Sequence, residues 1–140
     1  MKKTLSVRGD GICMVKTKDR GRGIVAERNF KKGDIIEVAP VVVIRESEKK
    51  YIKKTELFNY YFDCGTDSKK AAICLGLGSI YNHSWTPNAM YRYREKDEVL
   101  VFTAIKSIKK GEEICTSYNG DARDKSAYKF RKNGRMVDAE

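Results

Sequence analysis

The chain has 140 residues, enough for one hydrophobic core. It carries 29 Lys and Arg against 19 Asp and Glu, a net charge of +10, with 41% apolar residues and only 2 prolines. That composition excludes a disordered polar chain and a collagen-like one, and apolar runs such as Val41 to Ile44 are too short for a membrane-spanning helix.

Many short strands punctuated by glycine are predicted. Residues 12 to 17 are β-prone and lead into the turn Lys18-Asp19-Arg20-Gly21, after which 23 to 27 resume the strand pattern. Asn29 to Asp34 is a turn cluster. Ile35 to Ile44 is rich in Ile and Val but broken by Pro40, which predicts two strands or one bent edge strand. From Glu46 to Phe58 charges dominate and one short helix is expected, before Tyr60 to Phe62 return to strand. Ile73 to Tyr81 holds Gly76 and Gly78 in an apolar setting, where backbone must pack closely. Ala89 to Arg94 and Val99 to Ile105 form a hairpin around Lys96-Asp97-Glu98, and the turn Lys109-Lys110-Gly111 leads into Glu112 to Tyr118. The last twenty residues read as a docking helix or a frayed tail.

The positive charge is scattered in pairs and interleaved with acids, so a solvated basic surface is favoured over a nucleic-acid face, which stays possible. After the basic start Met1-Lys2-Lys3 comes polar Ser6 to Asp10 where an apolar stretch would be needed. No signal peptide is expected, and the protein reads as intracellular, cytoplasmic or nuclear. Cys13, Cys64, Cys74 and Cys115 are widely spaced, and His83 is the one imidazole. Such spacing does not supply a zinc site, and free, partly buried thiols are expected.

Three local features carry chemistry. Gly21-x-Gly23 lies between two strands; it is a tight turn or a close backbone approach to a small ligand, and it opens no helix as a dinucleotide fingerprint would. Tyr81-Asn82-His83-Ser84-Trp85-Thr86-Pro87-Asn88 packs hydrogen-bonding side chains after an apolar strand, as either a capped turn or a ligand-binding corner. Glu112 to Tyr118 ends a strand on a tyrosine, a position usual for core packing with the hydroxyl at the rim.

In order, Gly21-x-Gly23, Asn82-His83-Ser84-x-x-Pro87-Asn88 and Glu113-Ile114-x-x-x-Tyr118 resemble the SET-domain family of protein lysine methyltransferases. Phe30 to Ile36 and Ile108 to Glu113 resemble that family's two strand-turn-strand segments. The likeness covers about residues 11 to 120 and is strongest to the minimal stand-alone SET proteins of viruses and microbes.

The resemblance implies a mainly β fold of small sheets over residues 1–140, with 121–140 as an extension. It also implies a knot-like crossing of the Tyr118 segment beside the Asn82-His83 loop. The implied cofactor is S-adenosylmethionine, its methionine end held by the backbone of Arg20, Gly21, Arg22 and Gly23. Asn82 would hold it by polar groups and His83 would meet the adenine through its backbone. Tyr118 is the implied catalytic residue and Tyr60 a second tyrosine at the transfer point, with Tyr61 its competitor. The implied partner is a protein presenting a lysine, a histone-like one among the candidates, and the resemblance to small relatives suggests a homodimer; a non-catalytic binding module on the same scaffold is the alternative. Trp85 stands where many members carry a zinc-binding cysteine, and no cysteine follows Cys115, so no metal is expected. Tyr128 or Phe130 would then close the lysine channel. Thr116, Ser117 and Arg22 also depart from common family residues.

Overall fold

A computed structural model of the chain describes residues 6–121, 123, 125, 129–132 and 135–138. β1 (Ile12–Lys16) and β2 (Arg22–Ala26) form a hairpin, with Val15 opposite Gly23. β3 (Ile35–Ile44) is the central strand of a five-stranded sheet with β4 (Tyr61–Cys64), β5 (Lys70–Cys74), β7 (Ala89–Arg94) and β8 (Val99–Ala104), in the order β4-β5-β3-β8-β7. β6 (Asn82–His83) and β9 (Glu113–Thr116) complete a second sheet of order β1-β2-β9-β6. This is a mainly β architecture of small sheets.

Pro40 does not break β3. Residues 35 to 40 pair with β8 and residues 41 to 44 pair with β5, so the proline stands where the strand changes partners. Its missing N–H falls at that switch, and its carbonyl accepts from the Leu75 amide at 2.9 Å. One central strand therefore replaces the expected pair of strands or bent edge. The expected helix over 46–58 also divides. α1 (Glu46–Ile52) stops, and the Thr55 hydroxyl then accepts from the Leu57 amide to start a 3-10 turn, Glu56–Asn59.

The C-terminal reading is corrected too. β10 (Lys129–Lys132) and β11 (Arg135–Asp138) form an antiparallel hairpin rather than a helix or tail. Asn133-Gly134, between them in sequence, is the dipeptide most favoured in two-residue hairpin turns. Tyr128 lies outside the described residues, as does the Phe130 side chain.

The core joins the two larger sheets. Ile12, Ile24 and Ile114 from one meet Phe30, Ile36, Leu100, Phe102 and Ile108 around the buried Tyr81. Phe30 and Ile108 exchange backbone hydrogen bonds of 2.8 and 2.9 Å, which locks the two similar turn segments together. Tyr81 stacks on Phe102 with ring centroids 4.6 Å apart and donates its hydroxyl to Glu37 at 2.7 Å. Glu37 also accepts from the Leu77 amide at 2.9 Å, so this carboxylate ties β3 to the segment leading into the Asn82 corner. All four cysteines are buried free thiols. Among the described residues no helix is long and apolar enough to cross a membrane.

Burial pushes the Tyr91 hydroxyl up to about 12 and the Cys74 thiol, also facing Glu37, up to about 12. Burial raises Tyr81 as well, with Glu37 adding to it. Unfolded tyrosines ionise near ~10 and thiols near ~8.5, so the unfolded chain sheds these protons first. Stability is then fully present below about pH 8.5 and falls as pH rises toward 12. Thermal melts from pH 8 to 11.5 should show a steepening loss of Tm, and a flat Tm to pH 11 would contradict the tyrosine burial.

Candidate active site

β9 lies between β2 and β6, antiparallel to the first and parallel to the second. Its pairing with β6 sets Asn82 opposite Cys115 and His83 opposite Thr116. The Ser84 amide extends the ladder by donating to the Thr116 carbonyl at 3.0 Å. Asn88, from the end of the same corner, continues it with a side chain. Its amide donates to the Glu113 carbonyl and its Oδ1 accepts from the Cys115 amide, both at 2.9 Å. Asn88 thus acts as one more peptide unit beside β9, satisfying backbone that a loop would leave unpaired.

The chain leaving β9 turns directly into the site. The Tyr118 amide donates to His83 Nδ1 at 2.9 Å, and the Tyr118 hydroxyl donates to the Tyr81 carbonyl at 2.7 Å. The ring is held at both ends yet remains 42% exposed. His83 itself is buried, its ring packed edge-on against Trp85 at 4.2 Å and against Tyr118 at 5.3 Å. Because Nδ1 accepts a hydrogen bond, the imidazole is neutral and serves as scaffolding. Burial lowers its pKa, and the positive charges of Arg20 and Lys125 lower it further.

The glycine turn meets this group from the other side. Gly21 needs its left-handed φ of +68° for the β1–β2 turn, where its carbonyl accepts from the Thr17 amide and hydroxyl. At Gly23 a Cβ would stand 2.9 Å from Asn82 Nδ2 and 3.0 Å from Glu113 Oε2. Only glycine lets β2 lie this close to the Asn82–Glu113 pair. The tight-turn reading of Gly21-x-Gly23 applies to Gly21, whereas the close approach at Gly23 is made by the protein's own Thr17, Asn82 and Glu113 side chains. Asn82 Nδ2 donates to the Arg22 carbonyl and to Glu113 Oε2, each at 2.9 Å.

With Arg20 donating to the His83 carbonyl and to Glu113, the residues Arg20, Arg22, Asn82, His83 and Tyr118 form one hydrogen-bonded group, and Gly23 packs against it. Among the described residues, Tyr60 is tied to this region only through its backbone. Its carbonyl accepts from the Ser79 hydroxyl at 2.8 Å, which ties the end of the 3-10 turn to the segment preceding Tyr81. Tyr61 instead packs edge-on against Phe58 at 6.0 Å, with Lys49 5.4 Å over its ring.

Sequence reasoning missed Glu113. Its carboxylate, less exposed than the guanidinium it pairs with, accepts from Asn82 and from Arg20 Nη2, the latter at 2.7 Å. In the sequence it stood only as the first residue of the motif Glu113-Ile114-x-x-x-Tyr118, with no role attached to its carboxylate. Asn88, quoted for its place in the motif, gave no hint that it extends the ladder. Cys115 beside them is pushed up to about 11 by burial and by Glu113, so its thiol stays protonated at neutral pH. Among the described residues no three of His, Cys, Asp and Glu group closely enough to hold a metal ion.

With this geometry in place, the likeness to known proteins becomes specific. The family model of the SET domain matches residues 21–119, from Gly21 to just past Tyr118. The chain belongs to the SET-domain family. A Schizosaccharomyces pombe histone-lysine N-methyltransferase, H3 lysine-37 specific, is 28% identical over 102 residues, 73% of this chain and 69% of that protein. An N-lysine methyltransferase of Xenopus laevis is 28% identical over an alignment of 142 positions, covering 89% of this chain but 41% of its own length. A crystal structure of a candidate histone methyltransferase from Plasmodium falciparum superposes with a TM-score of 0.65 at 29% identity, covering 77% of this SET chain and 92% of that one.

A pH dependence follows from His83. Its lowered folded pKa means that the unfolded chain binds this proton first, so stability is lost as pH falls through about 6.5 and below. Protonating Nδ1 would also remove the acceptor of the Tyr118 amide. Melting curves from pH 7.5 to 5 should show a loss of Tm that His83→Gln reduces. An equal loss in both proteins would refute the role of His83.

Proposed function

We propose that this SET-domain chain is an S-adenosylmethionine-dependent protein-lysine N-methyltransferase. The observation that carries the reading is the half-exposed Tyr118, pinned through its amide to His83 and through its hydroxyl to the Tyr81 carbonyl. Family membership and the methyltransferase relatives support it.

The residues fit such a cofactor. The site offers backbone carbonyls at Arg22, Tyr81 and His83, a carboxylate at Glu113 and an aromatic hydroxyl at Tyr118. These are oriented dipoles and acceptors rather than a strong base, which suits a group whose positive charge dissipates during reaction. Asn82 spends both amide protons on Arg22 and Glu113, so Oδ1 is the polar atom it offers a ligand. The backbone of Arg20 to Gly23 and of His83 would complete the holding surface. When bound, S-adenosylmethionine supplies a methyl group on a positively charged sulfur.

The work of the chain's own residues is positioning. A lysine amine is protonated in water, with a pKa near ~10.4, and must be neutral to attack. An apolar, partly desolvated approach beside a positive sulfur disfavours the ammonium without any general base. A tyrosine hydroxyl that donates to a carbonyl still has lone pairs to accept an N–H. Tyr118 can therefore aim the neutral amine while Tyr81 fixes its own direction. Tyr60 is assigned to the same wall, and His83 holds Tyr118 without exchanging protons.

A protein lysine is the proposed substrate, with histones the first class to try on the strength of the Schizosaccharomyces pombe relative. The net charge of +10 opposes a basic tail at long range. Of the acids that could offset it, Asp63 already pairs with Lys49 at 2.6 Å and Glu48 with Arg45 at 3.5 Å.

Incubation with methyl-labelled S-adenosylmethionine, histones and cell extract, followed by mass spectrometry, tests the reading. Label is expected on a lysine and should fall at least about a hundredfold in Tyr118→Phe. Near-normal turnover in that variant would remove Tyr118 from the mechanism, and cofactor binding with no labelled protein would favour a binding module. Asn82→Ala should weaken cofactor binding about tenfold by calorimetry. An unchanged Kd would overturn the assignment of Asn82.

A further inference from the structure

The Arg20 side chain occupies a position that its backbone role does not explain. Nη1 donates to the His83 carbonyl at 2.8 Å, and Nη2 donates to Glu113 Oε1 at 2.7 Å and approaches Cys115 Sγ at 3.8 Å. The Arg20 amide meanwhile donates to the Thr17 hydroxyl at 2.9 Å, which steadies the turn from which the side chain reaches across. One planar guanidinium thus bridges β1–β2, β6 and β9 at their common edge. It lies outermost, with the Arg20 side chain 47% exposed and the Glu113 side chain 23% exposed.

Two of these partners belong to the cofactor surface proposed above, and the inference rests on that reading. The His83 carbonyl, the backbone acceptor assigned to the adenine side, already holds a donor. The added charge is positive, the same sign as a sulfonium, and it neutralises the one carboxylate of the group. A cation so placed opposes the methyl donor twice, by occupying an acceptor and by like-charge repulsion. Yet the contact is held at an exposed edge by a long side chain, where solvent screening keeps it weak enough to exchange.

We propose that the Arg20 guanidinium is a displaceable plug over the cofactor side of this site, exchanged for the ligand's own donor at the His83 carbonyl, and that Arg20 thereby sets cofactor affinity. Glu113 is the anchor to which the plug returns. Asn82 keeps that carboxylate in place through its second acceptor, Oε2, when the guanidinium leaves. A structural strut at the same position would behave differently, because its removal would loosen the turn and weaken every ligand.

Calorimetry of wild type, Arg20→Gln and Arg20→Lys with S-adenosylmethionine and with S-adenosylhomocysteine, which keeps the same carboxylate and ammonium but lacks the sulfonium charge, separates the two. Arg20→Gln should bind both more tightly, with a gain of about three- to tenfold for the sulfonium ligand and less for the one without it. Arg20→Lys, which keeps the charge, should keep the wild-type ratio of the two affinities. In wild type, the Arg20 side-chain ¹⁵N signals should shift toward solvent-exchanging values on saturation with S-adenosylmethionine. This readout stands even if a variant folds poorly. Unchanged or weaker binding in folded Arg20→Gln, or Arg20 signals that do not move on saturation, would overturn the plug. A wild type that binds neither ligand would overturn the reading of the site itself, whereas a wild type that binds both while Arg20→Gln gains nothing would overturn the plug alone.

Discussion

The parallel pairing of β9 with β6 is the constraint on which the site depends. It aligns only Asn82 with Cys115 and His83 with Thr116, but it brings together segments separated by more than thirty residues. Parallel pairing over so short a ladder is weak by itself, since few backbone bonds offset the closure of a long loop. The structure reinforces it with side chains. Asn88 mimics a further strand residue against β9, Glu113 receives Asn82, and His83 receives the Tyr118 amide. Each of these bonds crosses between the two segments, so register and site geometry are set together.

Electrostatics then gives the site its character. His83 is held neutral by burial and neighbouring positive charge, and Cys115 is held protonated by burial and Glu113. Neither is poised to exchange a proton near neutral pH. What remains is a set of carbonyl oxygens, one carboxylate and a phenolic hydroxyl, with Arg20 joining the His83 carbonyl to Glu113. Such a set aligns reactants and stabilises charge redistribution; it does not abstract protons. The proposed reading as a methyl-transfer site rests on Tyr118, and this set of acceptors suits it.

Local chemistry in the chain reveals much of this fold. The β7–β8 hairpin, the β1–β2 turn and the two glycine turns that join at Phe30 and Ile108 all carry their signals in adjacent residues. Pro40 misleads because its meaning depends on which neighbour β3 pairs with on either side, and that is a tertiary fact. The C-terminal hairpin is hard to see in the sequence despite Asn133-Gly134, because its charged strands lack a clear apolar alternation. Of the site, Asn82, His83 and Tyr118 stand out as a motif, but the β6–β9 pairing that unites them leaves no periodic trace. Glu113 and the Arg20 side chain were illegible for the same reason. Their partners lie 31 and 93 residues away respectively, and only the folded chain supplies them.

The central claim is that β9 pre-assembles the site before any ligand arrives. Native-state hydrogen exchange of the unliganded protein at the Ser84, Cys115 and Tyr118 amides tests it most directly, because each donates a bond that joins the two segments. The account predicts that all three exchange as slowly as amides of the buried β2 and β8 strands, opening only with the whole domain. Exchange orders of magnitude faster at these three amides, with β2 and β8 still protected, would contradict it and would show that the site forms only when something binds.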